Sequence, residues 1–238
     1  MAMTPYNDLF NRHWTIYQKV LSSNAMFHRE FATFAREAFE EKAKAGLLDI
    51  LDLGCGDAGH ILSVLKGIPI HAYTGYDLSA PALDIAQSQL ASVVPTVHLK
   101  QGPMEDLIRQ ESSTFDIIYS GYAVHHLSDE GKQDLLRHVH GLLKPGGLFF
   151  LVDVFRQEGQ TRDAYIESIS GWISGTWTFL DQGQQALIFE HLRGFDHPAS
   201  RNDFTDWGKG TGFTVSWTPE IDTRHYGVVL HKAGQASA

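Results

Sequence analysis

The chain has 238 residues, 19 Lys+Arg against 28 Asp+Glu, a formal charge of −9 and one cysteine. The lone cysteine excludes an intramolecular disulfide and any multi-cysteine zinc site. The acidic balance argues against a protein that lives on nucleic-acid phosphates, where affinity comes mainly from Lys and Arg, and 43% hydrophobic residues suit a globular chain.

Residues 1–10 show no basic n-region and no apolar h-region. No apolar run approaches the ~20 residues of a spanning helix, so a cytoplasmic protein without membrane contact is expected. Residues 1–46 read as a helical cap. Phe27, Phe31, Phe34, Ala35, Ala38 and Phe39 recur at helical spacing within 24–45, with Asn24 as N-cap and Gly46 as stop. From residue 47 short apolar runs (47–53, 70–76, 96–99, 115–119, 148–154) alternate with amphipathic segments (58–66, 80–90, 104–110, 129–143). That alternation predicts an α/β fold with a parallel sheet covered on both faces. Lys144-Pro145-Gly146-Gly147 is expected to end the fourth of these helices abruptly. Residues 156–197 break the rhythm as an insertion of two helices rich in Trp, Phe and Gln. A helix at 200–211 and strands at 213–217 and 226–232 complete the 47–155 core, and 233–238 reads as a disordered tail.

Gly54, Gly56 and Gly59 satisfy G-x-G-x-x-G after the first strand, a tight turn that lets a ligand approach bare backbone. The pattern alone fits a nicotinamide or flavin nucleotide equally well. Asp77 ends the second strand and can accept hydrogen bonds from both ribose hydroxyls, which is common to all these ligands. Asp52 discriminates, because a carboxylate beside the loop repels a pyrophosphate and suits an ammonium.

Four segments stand in order: Leu51-Asp-Leu-Gly-Cys-Gly56, Gly75-Tyr-Asp-Leu-Ser79, the Phe115–Leu127 stretch FDIIYSGYAVHHL, and Leu142-Leu-Lys-Pro-Gly-Gly147. Together they resemble the class I S-adenosylmethionine-dependent methyltransferases over about residues 47–154. The resemblance implies a Rossmann-like three-layer sandwich whose seven-stranded sheet is parallel except for one antiparallel strand. It implies S-adenosyl-L-methionine as cofactor, S-adenosyl-L-homocysteine as product, and a small-molecule acceptor methylated at O or N under a helical lid. Gly54 and Gly56 would lie against the methionine portion, with Cys55 filling a small-residue slot between them. Asp52 would face the ammonium, Asp77 the ribose and Leu78 the adenine. Pro103 stands where the family usually carries an Asp or Asn for the adenine amine, so Met104 N–H and the Glu105 or Asp106 carboxylate are expected to take over. Ser120, at the end of the fourth strand, joins the cofactor contacts, and Tyr17 or Arg29 would close over the cofactor.

His125 and His126 follow the fourth strand at the ligand-binding edge. His125 is the candidate proton acceptor, since an imidazole titrates near 6.5. Tyr122, His125, Trp14, Trp172 and Trp177 are the candidate acceptor contacts, and aromatic rings there would suit an aromatic or cationic molecule. His125, His126 and Asp153 form no spaced ligand motif, so no metal is expected. No Asn/Asp-Pro-Pro-aromatic signature of base-amine methylation appears at 120–123, which also speaks against nucleic acid. Three other readings stay open: a non-methylating transfer from the same cofactor, a cofactor-binding regulatory module, and an NAD-dependent oxidoreductase.

Overall fold

The computed structural model describes residues 14–234. The expectations for residues 1–10, for the Trp14 side chain and for most of the 233–238 tail lie outside the described residues. Helices α1 (Trp14–Ser23) and α2 (His28–Ala43) come first. The second starts later than Asn24, because Phe27 takes a left-handed conformation (φ 58°) as its cap. Asn24 contributes from a distance, its Oδ1 accepting the Arg29 N–H at 3.0 Å.

The core then alternates β1 (Leu48–Leu53), α3 (Gly59–Leu65), β2 (Ile70–Asp77), α4 (Ala80–Leu90), β3 (Val97–Gln101), α5 (Met104–Gln110), β4 (Phe115–Gly121), a 3₁₀ turn (Val124–His126), α6 (Asp129–Leu142) and β5 (Leu143–Val154). Helices α7 (Arg162–Thr176), α8 (Gln182–Phe195) and α9 (Arg201–Thr211) precede β6 (Thr214–Trp217) and β7 (His225–His231). The Lys144–Gly147 turn does end α6, but strand pairing already begins at Leu143 opposite Phe115. The pairing slips between Phe115 and Ile117, which accommodates the extra residues of the turn. Lys144 Nζ binds Asp49 Oδ2 and Asp116 Oδ2 at 2.7 Å each and so ties the starts of β1 and β4.

The seven strands run β3-β2-β1-β4-β5-β7-β6, and β7 alone runs opposite to the others. One apolar layer sets α2, α3 and α4 against the sheet, around Phe31, Phe39, Ile61, Leu65 and Ala86. The other sets α5, α6 and α9 on the opposite face, around Ile108, Leu135, Val139 and Phe204. Strand order reverses between β1 and β4, so their carboxyl ends frame the crevice where such sheets bind ligands.

A third apolar cluster lies off the sheet. Ile16 and Val20 of α1 pack with Tyr165, Ile166, Ile169, Ile173, Trp177 and Leu192 of the α7–α8 insertion. This cluster explains the stripe read in the insertion: its apolar face turns to α1 and the sheet edge, not to the main core.

Candidate active site

The glycine loop is bound to the end of β2. The Gly54 and Cys55 N–H groups both donate to the Tyr76 carbonyl at 2.9 Å, and Gly56 N–H donates to Asp77 Oδ2 at 2.9 Å. Gly54 needs both its conformation (φ 74°) and its bareness, since a Cβ there would stand 2.4 Å from the Ala123 Cβ. Asp77 Oδ1 also accepts the Ser79 N–H at 2.8 Å. A carboxylate offers about four lone-pair sites; two hold the backbone, and two remain for a vicinal diol. The Cys55 thiol is buried in the loop, and burial, then Asp52 and Asp77, push its pKa well up. It is a packing group and no nucleophile.

A cavity of about 190 Å³ opens over this loop, lined by Gly54, Cys55, Gly56, Asp77, Leu78, Ser79 and Tyr122, with Tyr17, His28, His60, His126 and His191 around it. The structure thus gathers six of the expected cofactor residues: Gly54, Cys55, Gly56, Asp77, Leu78 and Tyr17. The other five stand elsewhere. Ser120 is fully buried and its hydroxyl donates to the Leu53 carbonyl at 2.7 Å, linking β4 to β1. Arg29 is exposed and donates to the Ser22 carbonyl, outside the cavity. Met104 and Glu105 begin α5, where Pro103 is the cap, and neither lines the cavity. The Met104 methyl does support the loop, 3.5 Å from where a Gly54 Cβ would be.

Asp52 lies behind the loop and accepts the Tyr73 hydroxyl at 2.6 Å. Burial pushes its carboxyl up to about 7; the Tyr73 hydrogen bond opposes this and the Asp77 charge adds to it. A carboxyl raised by folding favours the folded state while protonated, and that contribution is lost as pH rises through about 7. A bound ammonium works in the opposite sense, because it needs the ionised form. S-adenosylhomocysteine is therefore expected to bind more weakly as pH falls from about 8 to about 6, by at most about tenfold per pH unit. Calorimetric titration at several pH values checks this. In Asp52→Asn the slope should vanish, and a slope that persists would assign it to another group.

A second cavity, about 220 Å³, lies between α1, α7, α8 and the 3₁₀ turn. Its wall is mainly apolar: Ile16, Val20, Met26, Val154, Ile169, Trp172, Ile173, Trp177, Ile188 and Leu192. Tyr122, His125, Trp172 and Trp177 all reach it, as expected for acceptor contacts. Tyr122 holds a left-handed backbone (φ 56°), a strained state for a non-glycine residue, and its hydroxyl donates to the Met26 carbonyl.

The polar end of this cavity was not foreseen as a unit. His125 Nδ1 pairs with Asp153 Oδ1 at 2.5 Å, and its backbone N–H donates to Asp153 Oδ2 at 2.9 Å. Burial alone would lower the His125 pKa, but the charges of Asp153 and Asp196 and the Asp153 hydrogen bond hold it above the ordinary value. Asp196, just after α8, places Oδ1 3.7 Å from His125 Nε2, 3.4 Å from His126 Nδ1 and 3.8 Å from His191 Nε2. The two cavities share Tyr17, His28, Tyr122, His126 and His191, so they meet at this point.

The fold is Rossmann-like, and within it residues 50–147 match the sequence profile described as a methyltransferase domain. The cavity over the Asp77 carboxylate and the bare Gly54 backbone lies within and beside the matched segment, and its lining suits a nucleoside joined to an amino acid. The chain is 33% identical over 134 residues to the uncharacterized protein YafE of Escherichia coli K12, covering 52% of this chain and 62% of that one. It is 36% identical over 107 residues to the uncharacterized methyltransferase sll0829 of Synechocystis, covering 45% and 47%. The chain thus spans about half to three fifths of the length of these curated relatives. Among solved structures, magnesium protoporphyrin IX methyltransferase from Synechocystis with bound SAH superposes with a TM-score of 0.64 at 12% identity, over 96% of this chain and 98% of that one.

Proposed function

We propose that this chain transfers the methyl group of S-adenosylmethionine to an oxygen or nitrogen of a small, largely apolar molecule held beneath α7 and α8. The observation that carries the reading is the junction of the two cavities, one at the glycine loop and one in the apolar insertion, at Tyr122, His126 and Tyr17. When bound, the cofactor supplies a sulfonium methyl already activated for in-line displacement, so alignment and exclusion of water supply much of the rate. Asp77 holds the ribose, Asp52 supplies negative charge behind the loop, and Tyr17 covers the junction. The insertion acts as the acceptor's lid. Its cavity, smaller than the roughly 300–1,000 Å³ of drug-sized pockets, suits a small molecule and no folded macromolecule.

The lining also narrows the acceptor. Trp177 Nε1 and Tyr165 Oη are buried without a hydrogen-bond partner among the described residues, and both side chains line the cavity. Two donors of this kind favour a neutral acceptor bearing an oxygen or nitrogen lone pair. Among the described residues Asp196 is the one carboxylate of this wall, and imidazole nitrogens of His125, His126 and His191 already surround it, so the rest of the lining favours a neutral acceptor over a permanent cation. In this reading His125 takes the acceptor's proton through Nε2, and the pairing of its Nδ1 with Asp153 supports that role.

Turnover of labelled S-adenosylmethionine against a panel of phenols, amines, hydroxy-heterocycles and carbon acids, read by product mass, tests the reading. A methyl mass increment on a neutral O- or N-acceptor is expected. A different increment would establish a non-methylating transfer. Tight S-adenosylhomocysteine binding with no transfer to any component of a cell extract would favour a regulatory module, and tight NAD binding in its place would overturn the cofactor assignment.

A further inference from the structure

The methyl-transfer reading leaves one buried carboxylate of the acceptor cavity unused, Asp196, which stands among imidazoles. His125, His126 and Asp196 each offer one ligand atom within 4.8 Å of the other two, with Asp196 Oδ1 3.7 Å from His125 Nε2 and 3.4 Å from His126 Nδ1. They come from the turn after β4 and from the end of α8, so the fold brings them together from distant parts of the chain. Asp196 is only 2% exposed, and its Oδ1 is buried without a well-formed hydrogen bond although three imidazole nitrogens surround it. Contacts of 3.4–3.8 Å are long for hydrogen bonds to a carboxylate. They are the separations expected of ligands arranged about a common centre, since first-row metal–ligand bonds are about 2.0–2.2 Å.

We propose that His125, His126 and Asp196 form a binding site for one borderline divalent transition-metal ion, of the zinc, cobalt or iron(II) type, at the polar end of the acceptor cavity. Two imidazoles and one carboxylate leave coordination positions open, which is the arrangement of reactive rather than structural sites. The cluster also has the outer support such sites use. Asp153 binds His125 Nδ1 and thereby directs Nε2 toward the centre, a carboxylate–histidine–metal arrangement. Asp153 adds a second negative charge; the buried Lys132, donating to the Leu127 and His197 carbonyls, adds one positive charge. His191 stands beside the trio, its ring 5.1 Å from that of His126, and closes the side toward the cofactor cavity.

The site's position suggests its use. An ion there faces the junction of the two cavities, where it would polarise an acceptor oxygen and make its proton leave more readily. In the loaded protein His125 Nε2 is a ligand; its proton-accepting role belongs to the metal-free protein. The proposal shares the acceptor site with the methyl-transfer reading but does not depend on methyl transfer.

The test uses the full chain, freed of any polyhistidine tag, stripped with chelator and titrated with Co²⁺ alone. One equivalent of Co²⁺ is expected to bind, with visible d–d absorption that Zn²⁺ displaces. Asp196→Asn and His126→Gln should abolish that band, and Asp153→Asn should weaken Co²⁺ binding by about 10–100-fold. Circular dichroism and thermal unfolding confirm that each variant is folded, and S-adenosylhomocysteine titration of the wild-type protein reports separately on the methyltransferase reading. Absence of a Co²⁺ band in wild-type protein that still binds S-adenosylhomocysteine overturns the metal site and leaves that reading intact. Unchanged Co²⁺ binding by both Asp196→Asn and His126→Gln overturns it equally, because the ion then sits elsewhere.

Discussion

Asp77→Ala should reduce the affinity for S-adenosylhomocysteine by roughly 10²–10⁴-fold. The figure follows from two hydrogen bonds to a charged acceptor, each worth about 1.5–3 kcal/mol, with about 1.4 kcal/mol per tenfold. The two carboxylate positions not used by Gly56 N–H and Ser79 N–H are those that would take the ribose hydroxyls. The substitution has a second effect in the same direction. Gly56 N–H loses its acceptor, and the loop conformation that presents bare backbone loses one of its anchors, leaving the Gly54 and Cys55 bonds to Tyr76. Asp77→Asn separates the two effects. Its amide oxygen can still accept from Gly56, so that anchor of the loop is kept while the Ser79 bond, one ribose acceptor and the charge are lost, and an intermediate loss is expected. Calorimetric titration with S-adenosylhomocysteine measures both, with thermal unfolding as the check on folding. An Asp77→Ala protein that binds within about threefold of wild type would remove Asp77 from the ribose site.

The cofactor half was legible because its parts are local. Gly54, Gly56 and Asp77 sit in short segments whose backbone demands show in the residue types. The start of α4 is legible for the same reason: Ser79 caps it through the Ala82 N–H, and Pro81 sits in its first turn. Local signals misled where tertiary packing chose otherwise. Asn24 has the chemistry of a cap, yet the chain turns at Phe27 in a left-handed state and the helix starts beyond it. Ser120 shows why a strand-end hydroxyl is ambiguous. Its side chain points to Leu53 across the sheet, and nothing in its own segment says so.

The acceptor end was legible in its individual residues but not in their grouping. Trp172 and Trp177 announced an apolar insertion, and His125 announced an imidazole at the sheet edge. Asp196 and His191 carried no comparable signal. They follow from how α8 lies against the turn after β4, where His197 N–H donates to the His125 carbonyl at 2.7 Å. His28 and His60 were missed likewise: burial takes their pKa values down to about 2 and about 4, so two neutral rings stand beside the glycine loop, yet in sequence each is one histidine among thirteen.

Once an acceptor is in hand, His125→Ala should lower kcat by roughly 10²–10⁴-fold, the usual span for a positioned proton acceptor. Affinity for S-adenosylhomocysteine should be unchanged, since His125 lines the acceptor cavity and not the one over the glycine loop. The pH profile distinguishes proton transfer from mere anchoring of the turn. In metal-free enzyme the neutral imidazole is the active form. Burial would lower its pKa, but the Asp153 and Asp196 charges and the Asp153 hydrogen bond outweigh burial and hold it above the ordinary 6.5. Activity should therefore fall as pH drops through a value above 6.5, with the acid limb seen in kcat/KM. Asp153→Asn removes the charge that raises the imidazole, so the limb should move to lower pH. The same change removes the acceptor that fixes Nδ1–H, so the plateau rate should drop as well, because the ring then populates the wrong tautomer. A dyad that only braces the turn after β4 would lose rate in both variants with the limb unmoved.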